Sequence, residues 1–381
     1  MQIGHHSDSD GEATHGEFRL LPSMKGERHS RRFICLRELG RVWMSATEKP
    51  PCLSAAVGSH EHTKRLVSCE VGVPGYSLEF VDVSPIIAAF RRMVRRLEFD
   101  VCELAPTTYV VARDAGVEIT ALPVFLGREF HFTNIVCGAG SGIEKPSDLC
   151  GRRVGVRAYT VSTGVWARSL LRTEYGVDAN SITWIVDDEE HVESFELPGN
   201  VRQAPVGISL ADLFEAGEID AAFTGPAGIG RSGPPREGWD ESADGPVGRV
   251  AYPLFENADE LARAYYRTTG VYPLHGVVVV KNSVVRQHPD FCGTLREALE
   301  AAKQPFLASL REAEAEAEAE AEGKGAGKEF EHFQRMRSIV GDDPLPYGIE
   351  ANLPSIDALL DAAVDQNILR SRPAVEDLFV E

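Results

Sequence analysis

A chain of 381 residues, 43% of them apolar, is long enough for two domains or one two-lobed unit with an ample core. Its net charge of -19 argues against a nucleic-acid binder, which needs a basic face, and against docking on anionic lipid. A small anionic ligand stays open, because a local pocket of Arg and His can sit in an acidic surface.

Residues 1–50 are polar, with basic patches such as "KGERHSRRF", and read as a disordered N-terminal extension. Met44, in "MSATEKPP", is a plausible translation start. No apolar signal core is found near the N-terminus, and no apolar run approaches the roughly 18 residues that span a membrane. Residues 51–127 then alternate. "LSAAVG" and "SLEFVDV" read as strands, and "IIAAFRRMVRRLEF" as an amphipathic helix with its basic residues on one side. "FDVCELA" is a short buried strand, "PTTYVVARDAG" a helix and "EITALPVFL" a strand. This order predicts a mostly parallel sheet flanked by helices.

A second set occupies residues 128–269. It holds the strands "HFTNIVCG", "RRVGV" and "SITWIVD", the helix that opens at "STGVWARSLL", and "LADLFEAGEIDAAFTG", a helix leading to a strand. Residues 226–248 are rich in Gly and Pro and read as a surface loop. "YPLHGVVVVKNSVV" is a β-branched strand that returns the chain to the first set, which takes up residues 270–381. A helix follows in "PDFCGTLREALEAAKQPFLASL". Residues 311–328 are a low-complexity Glu/Ala insertion, with good helix propensity but repulsion between glutamates four apart, ending in a Gly/Lys linker. "PYGIEANLPSIDALL" closes the chain as a turn and a helix. The predicted fold class is α/β, with two lobes and a ligand cleft at the carboxyl ends of the strands.

Within that frame, "VRAYTVSTGVW" stands out. Arg157 precedes Tyr159, Thr160, Ser162 and Thr163 at a helix start, where free backbone N–H groups favour an anion. An ordinary Ser/Thr cap explains the same residues. Seven scattered cysteines without a C-x-x-C pair read as reduced thiols, which suits a cytoplasmic protein.

Taken in order, "ALPVFLGREFHFTNIVC", "GVWARSLLRTEYGV", "GEIDAAFTG" and "PYGIEAN" resemble the 4,5-dihydroxyphthalate decarboxylase family over most of residues 53–380. The resemblance implies a type 2 periplasmic-binding-protein-like fold and a carboxy-lyase that turns 4,5-dihydroxyphthalate into protocatechuate and CO2. The family's loop more usually reads Pro-Glu-Tyr-Gln-Met-Thr where this chain has Arg157, Ala158, Tyr159, Thr160, Val161 and Ser162. A carboxylate is missing there and an arginine has been gained.

Such a reaction avoids an aryl carbanion by protonating the ring carbon that bears the carboxylate. It needs a proton donor, a base and cations for two carboxylates. His275, on the return strand, is the first acid/base candidate, followed by His60 and His62 after the first strand; His131 is a second-line one. Arg128 and Arg157 are the carboxylate partners. Tyr159, Ser162, Thr163, Thr107, Thr108, Tyr109 and Thr224 are further substrate-binding candidates. Tyr347 and Glu350 read as packing residues. His60 and His62 with Glu61 also admit a divalent metal, without a clear third ligand. The expected partner is a small aromatic carboxylate, with no nucleic acid or membrane; a homo-oligomer stays open. The alternative function is a non-catalytic solute-binding protein using the same cleft.

Overall fold

The computed structural model describes residues 32–34, 49–230, 249–319 and 327–380. Strands β1 (Arg32–Ile34), β2 (Cys52–Ala56), β3 (Ser77–Val81), β4 (Val101–Leu104) and β5 (Ile119–Arg128) begin the first sheet. The second takes β6 (Ile135–Gly138), β7 (Arg153–Gly155), β8 (Thr183–Val186), β9 (Val201–Gln203), β10 (Ala221–Phe223) and β11 (Ala251–Pro253). Strand β12 (Leu274–Lys281) then returns to the first sheet. The spatial orders are β1-β3-β2-β4-β12-β5 and β11-β6-β10-β7-β8-β9. Each sheet therefore forms one lobe, and the chain crosses between lobes after β5 and again before β12.

Most strands of each sheet run one way, as expected, but both sheets are mixed: β1 and β12 oppose the rest in the first and β6 in the second. Strand β2 is parallel to β3 and β4, as βα alternation dictates. The return strand β12, however, arrives from the other lobe and inserts antiparallel to both β4 and β5. In the second sheet, β7–β10 and β7–β8–β9 are parallel, while β6 runs against them and pairs antiparallel with β10 on one side and β11 on the other. Val277–Val280 are covered on both faces, as suits the all-valine stretch in the middle of a sheet. Within the extension expected to lack structure, Arg32–Ile34 pairs antiparallel with β3 as an edge strand. The rest of that extension up to residue 48, residues 231–248 of the Gly/Pro loop and residues 320–326 of the Glu/Ala segment lie outside the described residues.

The helices used below are α1 (Ile87–Arg96), α2 (Pro106–Asp114), α3 (Ser162–Tyr175), α4 (Phe291–Ala319), α5 (Lys328–Val340) and α6 (Leu353–Asp365). Helix α1 buries Ala89, Phe90, Met93 and Val94 and turns its arginines to the other side, the division its 3.6-residue spacing predicts. Helix α2 starts on Pro106 directly beyond β4, with the fixed proline φ suited to the first helical position. Helix α3 ends at Gly176 in the left-handed region, which a residue without Cβ adopts without strain. One connected apolar core holds Leu104 and Phe125 of the first sheet together with Ile135, Val154 and Phe223 of the second. The two lobes are closed on each other.

Candidate functional site

Strand β4 reads Val-Cys-Glu-Leu, and all four residues are buried. A carboxylate in such a strand is costly unless it is paired. Glu103 Oε2 accepts the Gly58 N–H at 2.9 Å and lies 2.9 Å from His60 Nε2. Both partners sit on the loop that follows β2, at the carboxyl edge of the sheet. A Cβ on Gly58 would come within 2.9 Å of the same carboxylate oxygen, and one on Gly276 of β12 within 2.9 Å of Oε1. Bare backbone on two sides is what lets Glu103 fit.

The pair polarises its members. Burial alone would lower the His60 pKa, but the Glu103 charge and hydrogen bond, aided by Glu329, hold it up at about 9. Burial would raise the Glu103 pKa, but His60 and the Gly58 N–H bring it below its usual value. The His60 side chain is 24% exposed, so this imidazolium reaches solvent. His62, by contrast, is fully buried beside Phe306 and Phe333, with its ring stacked 5.1 Å from that of His60. Burial pushes its pKa down, and the His60 charge adds to that.

A second carboxylate comes from α5. Glu329 accepts the Glu61 N–H at 3.0 Å, and its other oxygen lies 3.2 Å from His62 Nδ1 and 3.8 Å from His60 Nδ1. The 3.2 Å approach is out of line for a hydrogen bond, so both ring nitrogens of His62 are buried without one. The Glu61 side chain faces Lys64 instead. Among the described residues no group of three or more His, Cys, Asp or Glu side chains is arranged to hold a metal ion.

The end of β5 and the start of β12 bring together Arg128, His131 and His275. Leu274 pairs with Arg128, and a bulge puts His275 against Gly127. The rings of His131 and His275 are 5.5 Å apart, and His131 Nε2 and His275 Nδ1 are both buried without a hydrogen bond. Burial and the His275 neighbour leave the His131 pKa at about 4, although Glu129 and Asn134 act against them. Arg128 is 3% exposed. Its Nη1 donates to Asn352 Oδ1 at 2.5 Å and the guanidinium lies over the Tyr272 ring, so neutral groups hold it. Burial draws its pKa down to about 10. His332, one turn after Glu329 on α5, hydrogen-bonds the Arg128 carbonyl at 2.8 Å.

The other expected ligand contacts are used inside the protein. Arg157 is 1% exposed and donates to Asp188 Oδ2 at 3.1 Å, so its carboxylate partner is internal. The N–H groups of Tyr159 and Thr160 donate to the Glu190 carboxylate at 2.6 and 3.1 Å. The anion at this loop is thus the protein's own. Tyr159 is buried, with its hydroxyl on the Gln366 carbonyl. Ser162 and Thr107 share a hydrogen bond of 2.7 Å across the lobes, and Thr108 bonds His191 Nδ1 at 2.8 Å. Thr163 is buried in the first turn of α3. Thr224 donates its N–H to the Asn134 carbonyl at 2.9 Å. Tyr109 does not face the cleft: it is 2% exposed, and its hydroxyl donates to Leu378 and accepts from the Ala121 N–H, strapping the C-terminal segment to β5. Among the packing residues, Tyr347 is enclosed against Lys303, with its hydroxyl unpartnered.

Sequence reasoning missed Glu103, Glu329, His332 and Asp188. Glu103 carried a legible signal, a lone charge in an otherwise apolar strand. Glu329 and His332 carried a fainter one: "KEFEHFQRMRSIV" has helical spacing but stands directly behind a Gly/Lys linker.

Residues 70–197 match the family model described as "ABC transporter, phosphonate, periplasmic substrate-binding protein". The chain is 30% identical to a 4,5-dihydroxyphthalate decarboxylase of Comamonas testosteroni, over 84% of this chain and 94% of that one. It is 35% identical to a 4,5-dihydroxyphthalate decarboxylase of Pseudomonas putida, over 45% of this chain and 69% of that one. Among solved structures, the periplasmic aliphatic sulphonate binding protein of Escherichia coli aligns with a TM-score of 0.48 at 12% identity, over 87% of this chain and 93% of that one.

Proposed function

The chain belongs to the 4,5-dihydroxyphthalate decarboxylase family, and on that premise we propose that it is a carboxy-lyase converting 4,5-dihydroxyphthalate to protocatechuate and CO2. The observation that supports a role for these residues is the His60–Glu103 pair. Glu103 engages Nε2, which leaves Nδ1 as the donor for the substrate; at 3.8 Å from Glu329 it is beyond hydrogen-bond reach of that carboxylate. A raised pKa keeps the ring protonated at neutral pH.

In this reading the hydroxyl para to the departing carboxylate loses its proton, and its electrons move through the ring to the carbon that bears the carboxylate. That carbon takes the proton from His60 Nδ1. The bond to the carboxylate then breaks, its electron pair restores the aromatic ring, and CO2 leaves. The proton given up by the hydroxyl passes to solvent and is returned to the product's phenolate oxygen, and solvent supplies one further proton to His60 in each turnover. Arg128 and the open Nδ1 of His275 supply donors for the substrate's carboxylates. Cytoplasmic operation fits the free, buried thiols of Cys102, Cys137 and Cys292.

Purified protein given 4,5-dihydroxyphthalate should release CO2 and protocatechuate, and His60→Asn should abolish this while binding persists. A chelator arm separates unaided from metal-assisted chemistry. The match to a substrate-binding protein model favours one second reading, a non-catalytic binder of an aromatic carboxylate. Tight binding without turnover would select it.

A further inference from the structure

We propose that Glu329 is a positioning residue for His60, and that through it helix α5 is part of the reactive site rather than only a piece of the scaffold. This rests on the reading of His60 as proton donor. Glu329 holds the His60 loop by one hydrogen bond, accepting the Glu61 N–H at 3.0 Å, and sets its other oxygen 3.2 Å from His62 Nδ1 without a second. The same oxygen lies 3.8 Å from His60 Nδ1, the nitrogen that Glu103 does not hold. His60 is therefore flanked by a carboxylate on each ring nitrogen, one touching and one held off.

Helix α5 does not need Glu329 in order to dock. Phe333 and Met336 are 3% and 2% exposed and anchor it to the core. The carboxylate comes at a cost, since Oε1 is buried without a hydrogen bond. Its place in the first turn of the helix offsets part of that. Positions 329, 332 and 333 share one helical face, and all three touch the site: Glu329 the loop, His332 the Arg128 carbonyl, Phe333 the edge of the His62 ring. One helix face thus fixes the distance between the proton donor and the candidate carboxylate anchor.

The charged and titratable groups facing His60 are Glu103 from β4, Glu329 from α5 and His62 from its own loop. Tyr347 lies beyond Glu103, with Lys303 on its ring. Of these, Glu103 and Glu329 raise the His60 pKa. Removing the Glu329 charge should therefore lower it while leaving the Glu103 hydrogen bond in place.

The test uses the full chain with Glu329→Gln, Glu329→Asp as the conservative variant and Met336→Ala as a purely structural control. The first readout is the titration of the His60 imidazole by NMR in free protein. Glu329→Gln should move it down by on the order of one pH unit, with Glu329→Asp between it and the parent. The second is turnover: kcat should fall by up to about 100-fold with KM little changed, and the alkaline limb of the rate profile should move down in step. Met336→Ala should lower thermal stability and leave both the titration and the limb in place. An unmoved His60 titration in Glu329→Gln, or one shifted as much by Met336→Ala, would overturn the assignment. Should the parent bind substrate without turnover while Glu329→Gln still moves the titration, the positioning role stands and the lyase reading falls.

Discussion

Two buried polar regions sit at the junction of the lobes, and they differ in what is left over. In the seam, Asp188 lies between Arg157 at 3.1 Å and Arg91 at 2.7 Å, Glu190 takes the Tyr159 and Thr160 N–H groups, and hydroxyls meet across the lobes. Its charges are answered from within the chain. At the edge of the first sheet, His60 has one engaged nitrogen, His62 has neither hydrogen-bonded, and Arg128 is held by neutral groups. Stable scaffolds satisfy their buried polar groups. Open donors gathered at one sheet edge are therefore where a ligand carboxylate is expected, and the seam is where closure is expected.

The largest effect should come from Glu103→Gln. It removes the charge that holds His60 protonated, and decarboxylation should fall by about 100-fold or more. The same pair sets a pH response. The His60 pKa is raised in the folded protein from 6.5 to about 9, so the stability it contributes is complete below 6.5 and is lost as pH rises through about 9. Turnover should fall over the same alkaline range. A rate profile flat to pH 10 in the parent, or unchanged in Glu103→Gln, would remove the distinction between the two regions.

Next is Asp188→Ala, which leaves two guanidinium groups without their shared carboxylate. Breaking a buried pair of this kind costs about 3–5 kcal/mol. Urea denaturation should show a loss of that order, with turnover per folded molecule kept. If stability held and kcat collapsed, Asp188 would belong with the reactive region and the division drawn here would be misplaced.

How far these regions could be read from sequence follows the same division. The strands and helices of both lobes were legible because their apolar periodicity is local. The direction of β12 was not, since its neighbours β4 and β5 are set by a return from the other lobe. His60, His62, His275 and Arg128 were legible by residue type and by their place at strand ends. The contacts that could not be read are those whose partners are distant in sequence. Arg157 looks like a ligand anchor until Asp188, on another loop, is known to face it. Tyr109 looks like a cleft residue until the C-terminal segment closes over its hydroxyl. Glu329 lies 268 residues from the N–H it accepts, and no local pattern announces such a contact.

The smallest effect should come from Arg95→Gln, at the solvent edge of the seam. Arg95 donates to the His191 carbonyl at 3.0 Å and the Glu190 carbonyl at 2.8 Å, and pairs with the Glu189 carboxylate at 3.2 Å. Glu189 is 71% exposed, so water and salt screen the ion pair, and the contact is worth about 1 kcal/mol or less. That is still roughly a fivefold shift in the balance between closed and open lobes. X-ray scattering should report a larger radius of gyration for the variant at low salt. The difference from the parent should shrink as salt is raised toward 1 M, where the screening length falls to about 3 Å, comparable to the separation of this exposed pair. KM should rise a few-fold while kcat holds, because a closed complex, once formed, retains the whole edge cluster. A fall in kcat without change in scattering would mean that α1 acts on the reactive residues and not on closure.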